Sequence, residues 1–171
     1  MRVGGLESRE AHNLAQAGAS PAPATITKEA IKSLFCVRMS LMKFLDVGAA
    51  VILREGKILL AQRNRNKFLG GKWEFPGGKI EEGESVKVGL AREILEEFGI
   101  EVVVGKLLTS VAHEYKSVIN INLHAYFCQP KNIDFKISEH ENVAWVVPAE
   151  LLNYDLAPAD LKIAKALLKN L

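Results

Sequence analysis

Apolar and polar positions alternate along this chain in two rhythms. The runs "VGAAVIL" and "KILLAQR", residues 47–53 and 57–63, are strand-like and flank the short turn Arg54-Glu55-Gly56-Lys57, which predicts a hairpin. "KWEFPGG" reads as a short strand stopped by a Pro-Gly-Gly break. From about Glu84 to Phe98 the rhythm becomes helical. Val86, Leu90, Ile94 and Phe98 form one stripe, and Gly99 is placed to end the helix. "EVVVGKLLTSVAHEY", "VININLHAYFC" and "NVAWVV" are further strand runs, and "PADLKIAKALLKNL" closes the chain as a helix with Leu161, Ala164, Leu168 and Leu171 at helical spacing. Strands flanked by two helices predict an α/β (α+β) domain, a mixed sheet covered by helices on both faces. No internal repeat is present.

The first 41 residues break this pattern. "AHNLAQAGASPAPAT" is rich in Ala, Ser, Gly and Pro without an apolar period, and "KEAIKSLFCVRMSLMKF" has the makings of a short helix. Three readings stay open: a disordered tail, a start-site artefact with translation beginning at Met39 or Met42, or a mitochondrial targeting leader. Glu7, Glu10 and Glu29 count against the last, since transit peptides are poor in acids. The expected organisation is a leader over 1–41 and one domain over 42–171.

Charge sharpens the division. Residues 1–41 carry five basic and three acidic side chains, and the remainder carries 17 of each. A neutral body offers no electrostatic footprint for duplex nucleic acid. No apolar run approaches the roughly 18 residues of a membrane-spanning helix. Cys36 and Cys128 are the two cysteines, with no CxxC pair. That excludes a cysteine-based zinc site, argues against a disulfide framework and makes a reducing, cytoplasmic location the default.

The predicted central helix poses a chemical question. Glu93, Glu96 and Glu97 share an arc of roughly 100° beside its apolar stripe. Like charges at such spacing repel. Either the face is solvated with Arg92 as a surface partner, or a divalent cation compensates it. Gly89 lies in the middle of the arc, where its missing side chain lets a chain segment or a ligand approach.

The wider context favours the cation. Gly78, five residues, Glu84, seven residues and then Arg92-Glu93-Ile94-Leu95-Glu96-Glu97-Phe98-Gly99-Ile100 match the Nudix box at every defined position. The chain therefore resembles a Nudix hydrolase. "EFPGGKIEEGE", "LHAYF", "EHENVAWVVPAEL" and "LAPADLKIAKAL" are similar to the MutT-type and CTP pyrophosphohydrolase subgroup, from about Asp46 to the C-terminus. The resemblance implies a sheet sandwiched between helices and an Mg²⁺-dependent hydrolase, with Mn²⁺ as a substitute. Its substrate would be a nucleoside triphosphate, its products a nucleoside monophosphate and pyrophosphate, and its role the removal of oxidised or noncanonical nucleotides such as 8-oxo-dGTP. It further implies a monomer or weak homodimer.

By matching position, Glu93, Glu96 and Glu97 carry over as metal ligands, with the Gly77–Gly78 turn supplying a carbonyl. Arg92 is expected to orient a glutamate by ion pairing, and Glu84 to support the loop and helix. Glu139 is a further metal ligand or the general base; Glu93 competes for the second role. Arg63 matches an arginine that contacts the nucleotide. Phe75 and Trp145 offer flat faces to a base, with core packing as the competing reading. Asp160 stands where the MutT group has asparagine and is expected to read base-edge donors, cytosine-type amino groups among them. His113, His124 and His140 form no metal-binding spacing and are expected to be structural. Two other classes remain: a Nudix enzyme for a different diphosphate-linked substrate, and a nucleotide-binding module without turnover.

Overall fold

The computed structural model describes residues 27–29, 32–33, 44–115, 119–131 and 138–171. The chain separates into two units, 1–41 and 42–171, and the fold below is that of the second. Of the expected leader helix, Lys28, Glu29, Lys32 and Ser33 are helical. The rest of that helix, Cys36 and the candidate starts Met39 and Met42 lie outside the described residues.

Six strands follow one another as β1 (Phe44–Arg54), β2 (Lys57–Arg63), β3 (Trp73–Glu74), β4 (Val102–Tyr115), β5 (Ile119–Pro130) and β6 (His140–Val146). Helix α1 (Val86–Phe98) separates β3 from β4. A 3-10 turn (Pro148–Asn153) and helix α2 (Pro158–Leu168) end the fold. β1 and β2 pair antiparallel only at Leu53–Ile58 and Arg54–Lys57, beside the Glu55-Gly56 turn, and then diverge. β1 continues parallel to β5, and β5 lies antiparallel to β4. β2 pairs antiparallel with both β3 and β6.

The wedge between the diverging strands is filled by backbone. Gly48 N–H donates to the Gly78 carbonyl, Ala50 N–H to the Pro76 carbonyl and Ile80 N–H to the Asp46 carbonyl. The Pro-Gly-Gly break is therefore not a free loop. It zips onto the edge that β1 leaves unpaired, which satisfies donors that would otherwise be buried without partners.

β1 is apolar in succession because both of its faces are buried. Ala49 and Val51 join Ile58, Leu60 and Phe75 in one core beneath Ala159, Ile163, Ala164 and Leu167 of α2. Ala50 and Ile52 join Leu59 and Ala61 in the other, beneath Leu90, Ile94 and Phe98 of α1. A period of two along the strands sends alternate residues to opposite layers. Helices on both faces give the expected α/β architecture.

Two boundaries move. α1 begins at Val86, with Ser85 as its cap accepting from Val88 N–H at 3.4 Å. Glu84 thus lies outside the helix rather than opening it. Gly99 ends the helix in the left-handed conformation, as expected. In α2 the buried stripe is Ala159, Asp160, Ile163, Ala164 and Leu167. Of the expected stripe only Ala164 is fully buried, and Leu171 is exposed. The helix is turned so that an acid enters the interior. Cys128 is buried, and burial pushes its thiol up to about 12, so it stays protonated. Among the described residues no helix is long and apolar enough to cross a membrane.

Ile94 tests the layer assignment. It is fully buried between α1 and the sheet, whereas its neighbour Leu95 is half exposed. Ile94→Ala is expected to cost about 3 kcal/mol, and Leu95→Ala to stay within about 0.5 kcal/mol. Urea unfolding with an unchanged slope measures both; equal costs would contradict the packing described here.

Candidate active site

A cleft of about 390 Å³ opens where α1, the Pro-Gly-Gly segment, β2, β6 and the start of α2 meet. Its walls include Arg63, Phe75, Gly77, Gly78, Glu93, Glu97, Glu139 and Asp160. Glu84, Arg92 and Glu96, also singled out from the sequence, lie outside the lining. Trp145 packs in the core beneath α1.

At one end the acids are organised by Arg92. Its Nη2 donates to Glu84 Oε1 at 2.6 Å and to the Lys79 carbonyl at 3.2 Å. Its Nη1 donates to Glu93 Oε1 at 2.8 Å and to Glu96 Oε2 at 3.2 Å. These pairings hold the guanidinium firmly protonated and the Glu84 carboxyl below its usual range. Glu84 Oε1 also accepts from Glu81 N–H at 2.7 Å, so loop and helix are tied through one cation. Glycines make the approach possible. A side chain at Gly78 would collide with the Glu93 carboxylate, and one at Gly89 with the Glu84 carboxylate. The segment that Gly89 admits is therefore the loop before its own helix.

Glu97 is left out of this network. It lines the cleft, and its Oε2 is buried with no hydrogen-bond partner among the described residues. Burial raises its carboxyl to about 7, against the opposing pull of His140; Glu139, Glu93 and Glu74 push it further in the same direction. Ser138 fixes what stands opposite. Its N–H and hydroxyl both donate to the Glu97 carbonyl, at 3.3 and 2.9 Å, which docks the loop carrying Glu139 and His140 onto the end of α1. Glu139 forms an ion pair with Lys67, which holds its carboxyl below the usual range.

Among the described residues no three His, Cys, Asp or Glu side chains stand close enough together to hold a metal ion. Glu93 and Glu96 turn to Arg92 and Glu139 to Lys67. The donor chemistry nevertheless fits a hard divalent cation. All these groups are carboxylates, and Glu97 presents a buried oxygen, short of a positive partner, inside a cluster of negative charge. Gly78's carbonyl accepts from Gly48 N–H, which makes the Gly77 carbonyl the pair's candidate for such an ion.

The other end is built by strand pairing. Arg63 lies opposite His140 in the β2–β6 register, and Glu74 opposite Ala61 in β2–β3. Arg63 Nη1 donates to Glu74 Oε2 at 2.6 Å, and its Nε to the Phe68 carbonyl at 2.8 Å. Glu74 Oε1 lies 3.0 Å from His140 Nε2. Trp73 N–H donates to the Asp155 carbonyl and Ala157 N–H to the Trp73 carbonyl, which brings the start of α2 beside β3. Asp160 is thereby buried and accepts from Phe75 N–H at 3.0 Å. Burial, then the charge of Glu74, pushes its carboxyl up to about 8. Near neutral pH it is largely protonated, so it can donate as well as accept.

Sequence reasoning missed Glu74, His140 and Lys67. Glu74 lies in "EFPGGKIEEGE" and Lys67 in the loop after β2, and no spacing in the sequence marks either of them. His140 was expected to be structural, and its side chain is only 7% exposed in the cleft wall.

Asp160 gives a pH signature. An aspartate in the unfolded chain titrates near 3.8, and in the fold near 8. The folded state therefore retains this proton where the unfolded state has lost it. The group's contribution is fully present below about pH 4 and is lost as pH rises to about 8. Asp160→Asn keeps an acceptor for Phe75 and cannot ionise. The stability gap between variant and wild type should widen in the variant's favour from about pH 5 to about pH 8 and then level off. Thermal unfolding across that range checks it; a gap independent of pH refutes the raised titration.

Comparison with known proteins agrees with the fold and the box. The NUDIX domain family model matches residues 42–167. The CTP pyrophosphohydrolase of Escherichia coli (strain K12) is 44% identical over 125 residues, which cover 73% of this chain and 92% of that protein. The 8-oxo-dGTP diphosphatase of Proteus vulgaris is 43% identical over 74 residues, 43% of this chain and 66% of that protein. Among solved structures, the E. coli ORF135 protein superposes with a TM-score of 0.67 at 42% identity, covering 76% of this chain and 92% of that one. The MutT protein from Methanosarcina mazei Go1 gives 0.68 at 30% identity, covering 76% and 96%. With the family model covering most of its length, this chain belongs to the Nudix family and is a Nudix hydrolase.

Proposed function

We propose that the protein is an Mg²⁺-dependent nucleoside triphosphate pyrophosphohydrolase, releasing a nucleoside monophosphate and pyrophosphate. Its role in this reading is to remove oxidised or noncanonical nucleotides such as 8-oxo-dGTP. The observation that carries the proposal is the Glu97 carboxylate, in the wall of a cleft whose opposite end holds Arg63 and Asp160, with one buried oxygen that has no hydrogen-bond partner among the described residues. An acid so placed is costly unless a cation joins it. Glu97, Glu93, Glu96, Glu139 and the Gly77 carbonyl are the groups that would hold the ion. When bound, it screens the polyphosphate and lowers the pKa of a coordinated water.

The protein's own groups do the remaining work. Arg92 orients Glu93 and Glu96 and ties them to Glu84. Arg63, braced by Glu74, grips the nucleotide with a planar fork. Glu139 or Glu93 accepts the proton of the attacking water. Asp160, donating and accepting at once, meets a base edge that presents a donor beside an acceptor. Cytosine has such an edge, and so has a 6-oxopurine. A second reading, preference for CTP or dCTP, is favoured by the similarity to the E. coli CTP pyrophosphohydrolase across 92% of that protein. The proposal takes residues 42–171 as the catalytic domain, 1–41 as a leader or a start-site artefact, and the active form as a cytoplasmic monomer or weak homodimer.

Pyrophosphate release should be measured with Mg²⁺ over 8-oxo-dGTP, dGTP, CTP, dCTP and 5-substituted dCTPs. Turnover of at least one, abolished by EDTA and restored by Mg²⁺ or Mn²⁺, is expected; silence across the panel sinks the reading. Glu97→Gln should lower kcat by about a hundredfold or more, roughly 3 kcal/mol of transition-state stabilisation.

A further inference from the structure

Two buried side-chain atoms have no hydrogen-bond partner among the described residues, Glu97 Oε2 and His140 Nδ1. They face each other at 3.9 Å. That separation exceeds a hydrogen bond and is too short for a bridging water, so a small rotation of either group joins them. The imidazole is otherwise held in place. It stacks on Phe98 with ring centres 5.0 Å apart and planes 24° from parallel. Its second nitrogen lies 3.0 Å from Glu74, whose other oxygen takes the Arg63 guanidinium. The backbone beside it is anchored by Ser138 on the Glu97 carbonyl.

One ring thus spans the interval between the group expected to grip the nucleotide and the carboxylate expected to serve hydrolysis. We propose that His140 is a positioning residue, which fixes the Glu97 carboxylate through Nδ1 while braced by Glu74 and Arg63 through Nε2. The proposal rests on the function proposed above, because it gives Glu97 something to be positioned for. Glu97 has one buried oxygen with no other donor among the described residues. A carboxylate held from one side presents its remaining lone pairs in a fixed direction, whereas one held by nothing turns freely. Outer partners of this kind change affinity or rate by about 10- to 100-fold when removed.

Two measurements on the full chain decide the matter. In kinetics, His140→Phe keeps a ring on Phe98 and removes both nitrogens. It should lower kcat about tenfold or more and leave KM nearly unchanged, because Arg63 and Glu74 remain. His140→Asn restores a donor near the Nδ1 position and should recover most of kcat, whereas a merely structural role predicts equal losses in both that follow thermal stability. Wild-type kcat in His140→Phe, or equal losses in the two variants, overturns the proposal. In nitrogen-15 NMR of the protein without nucleotide, Glu97→Gln should shift the His140 Nδ1 resonance and Glu74→Gln the Nε2 resonance. An Nδ1 resonance unmoved by Glu97→Gln overturns it even if the wild type hydrolyses no triphosphate, an outcome that would defeat the proposed function separately.

Discussion

The Arg92 guanidinium is the hub on which the cleft depends. Glu84, Glu93, Glu96 and the Lys79 carbonyl all meet it, two from the loop and two from a single turn of helix. Remove its charge and three acids would repel across a short arc, with Lys79 and Glu84, just after the Pro-Gly-Gly segment, losing their bonds to α1. That segment in turn supplies the carbonyls that complete β1. One cation therefore links the electrostatics of the helix to the closure of the sheet. It accounts for most of the compensation that the acidic face demands and leaves a single carboxylate, Glu97, outstanding.

The two ends of the cleft are built by different means. The acidic end is local: a turn, a helix and their contacts span residues 77–97. The opposite end is assembled from β2, β3, β6 and the start of α2, far apart in sequence. Glu97 and His140 lie at the junction, stacked against or beside Phe98, a core residue. Packing and chemistry meet there, because the His140 ring stacks on core Phe98 and presents its two nitrogens to Glu74 and Glu97.

This division explains what could be read from the sequence. The α1 stripe of Leu90, Ile94 and Phe98 was legible because apolar period and burial coincide. The box was legible because its residues act through local spacing. The α2 stripe was misread because two overlapping helical registers fit the same letters. The true one contains Asp160, whose charge argues against burial until Phe75 N–H and a retained proton are known. The apolar rhythm alone places the helix start near Glu84, and the Ser85 cap moves it to Val86. Glu74 and His140 could not be found by spacing, since their partnership arises from strand register across 66 residues. Among the described residues no three carboxylates converge on one point, because Glu84, Glu93 and Glu96 turn to Arg92 and Glu139 to Lys67, which no linear pattern conveys.

The neck of the 64–71 loop has a consequence of its own. Arg63 N–H donates to the Lys72 carbonyl, and Gly71 N–H donates to the Arg63 carbonyl. The loop is thus closed at its base by main-chain bonds that do not depend on what the loop contains. The main chain at Arg63 and the strands behind it are thereby fixed independently of the tip. The tip itself is not neutral, because Lys67 holds Glu139 and Phe68 holds the Arg63 guanidinium, so a change of loop sequence reaches both ends of the cleft at once.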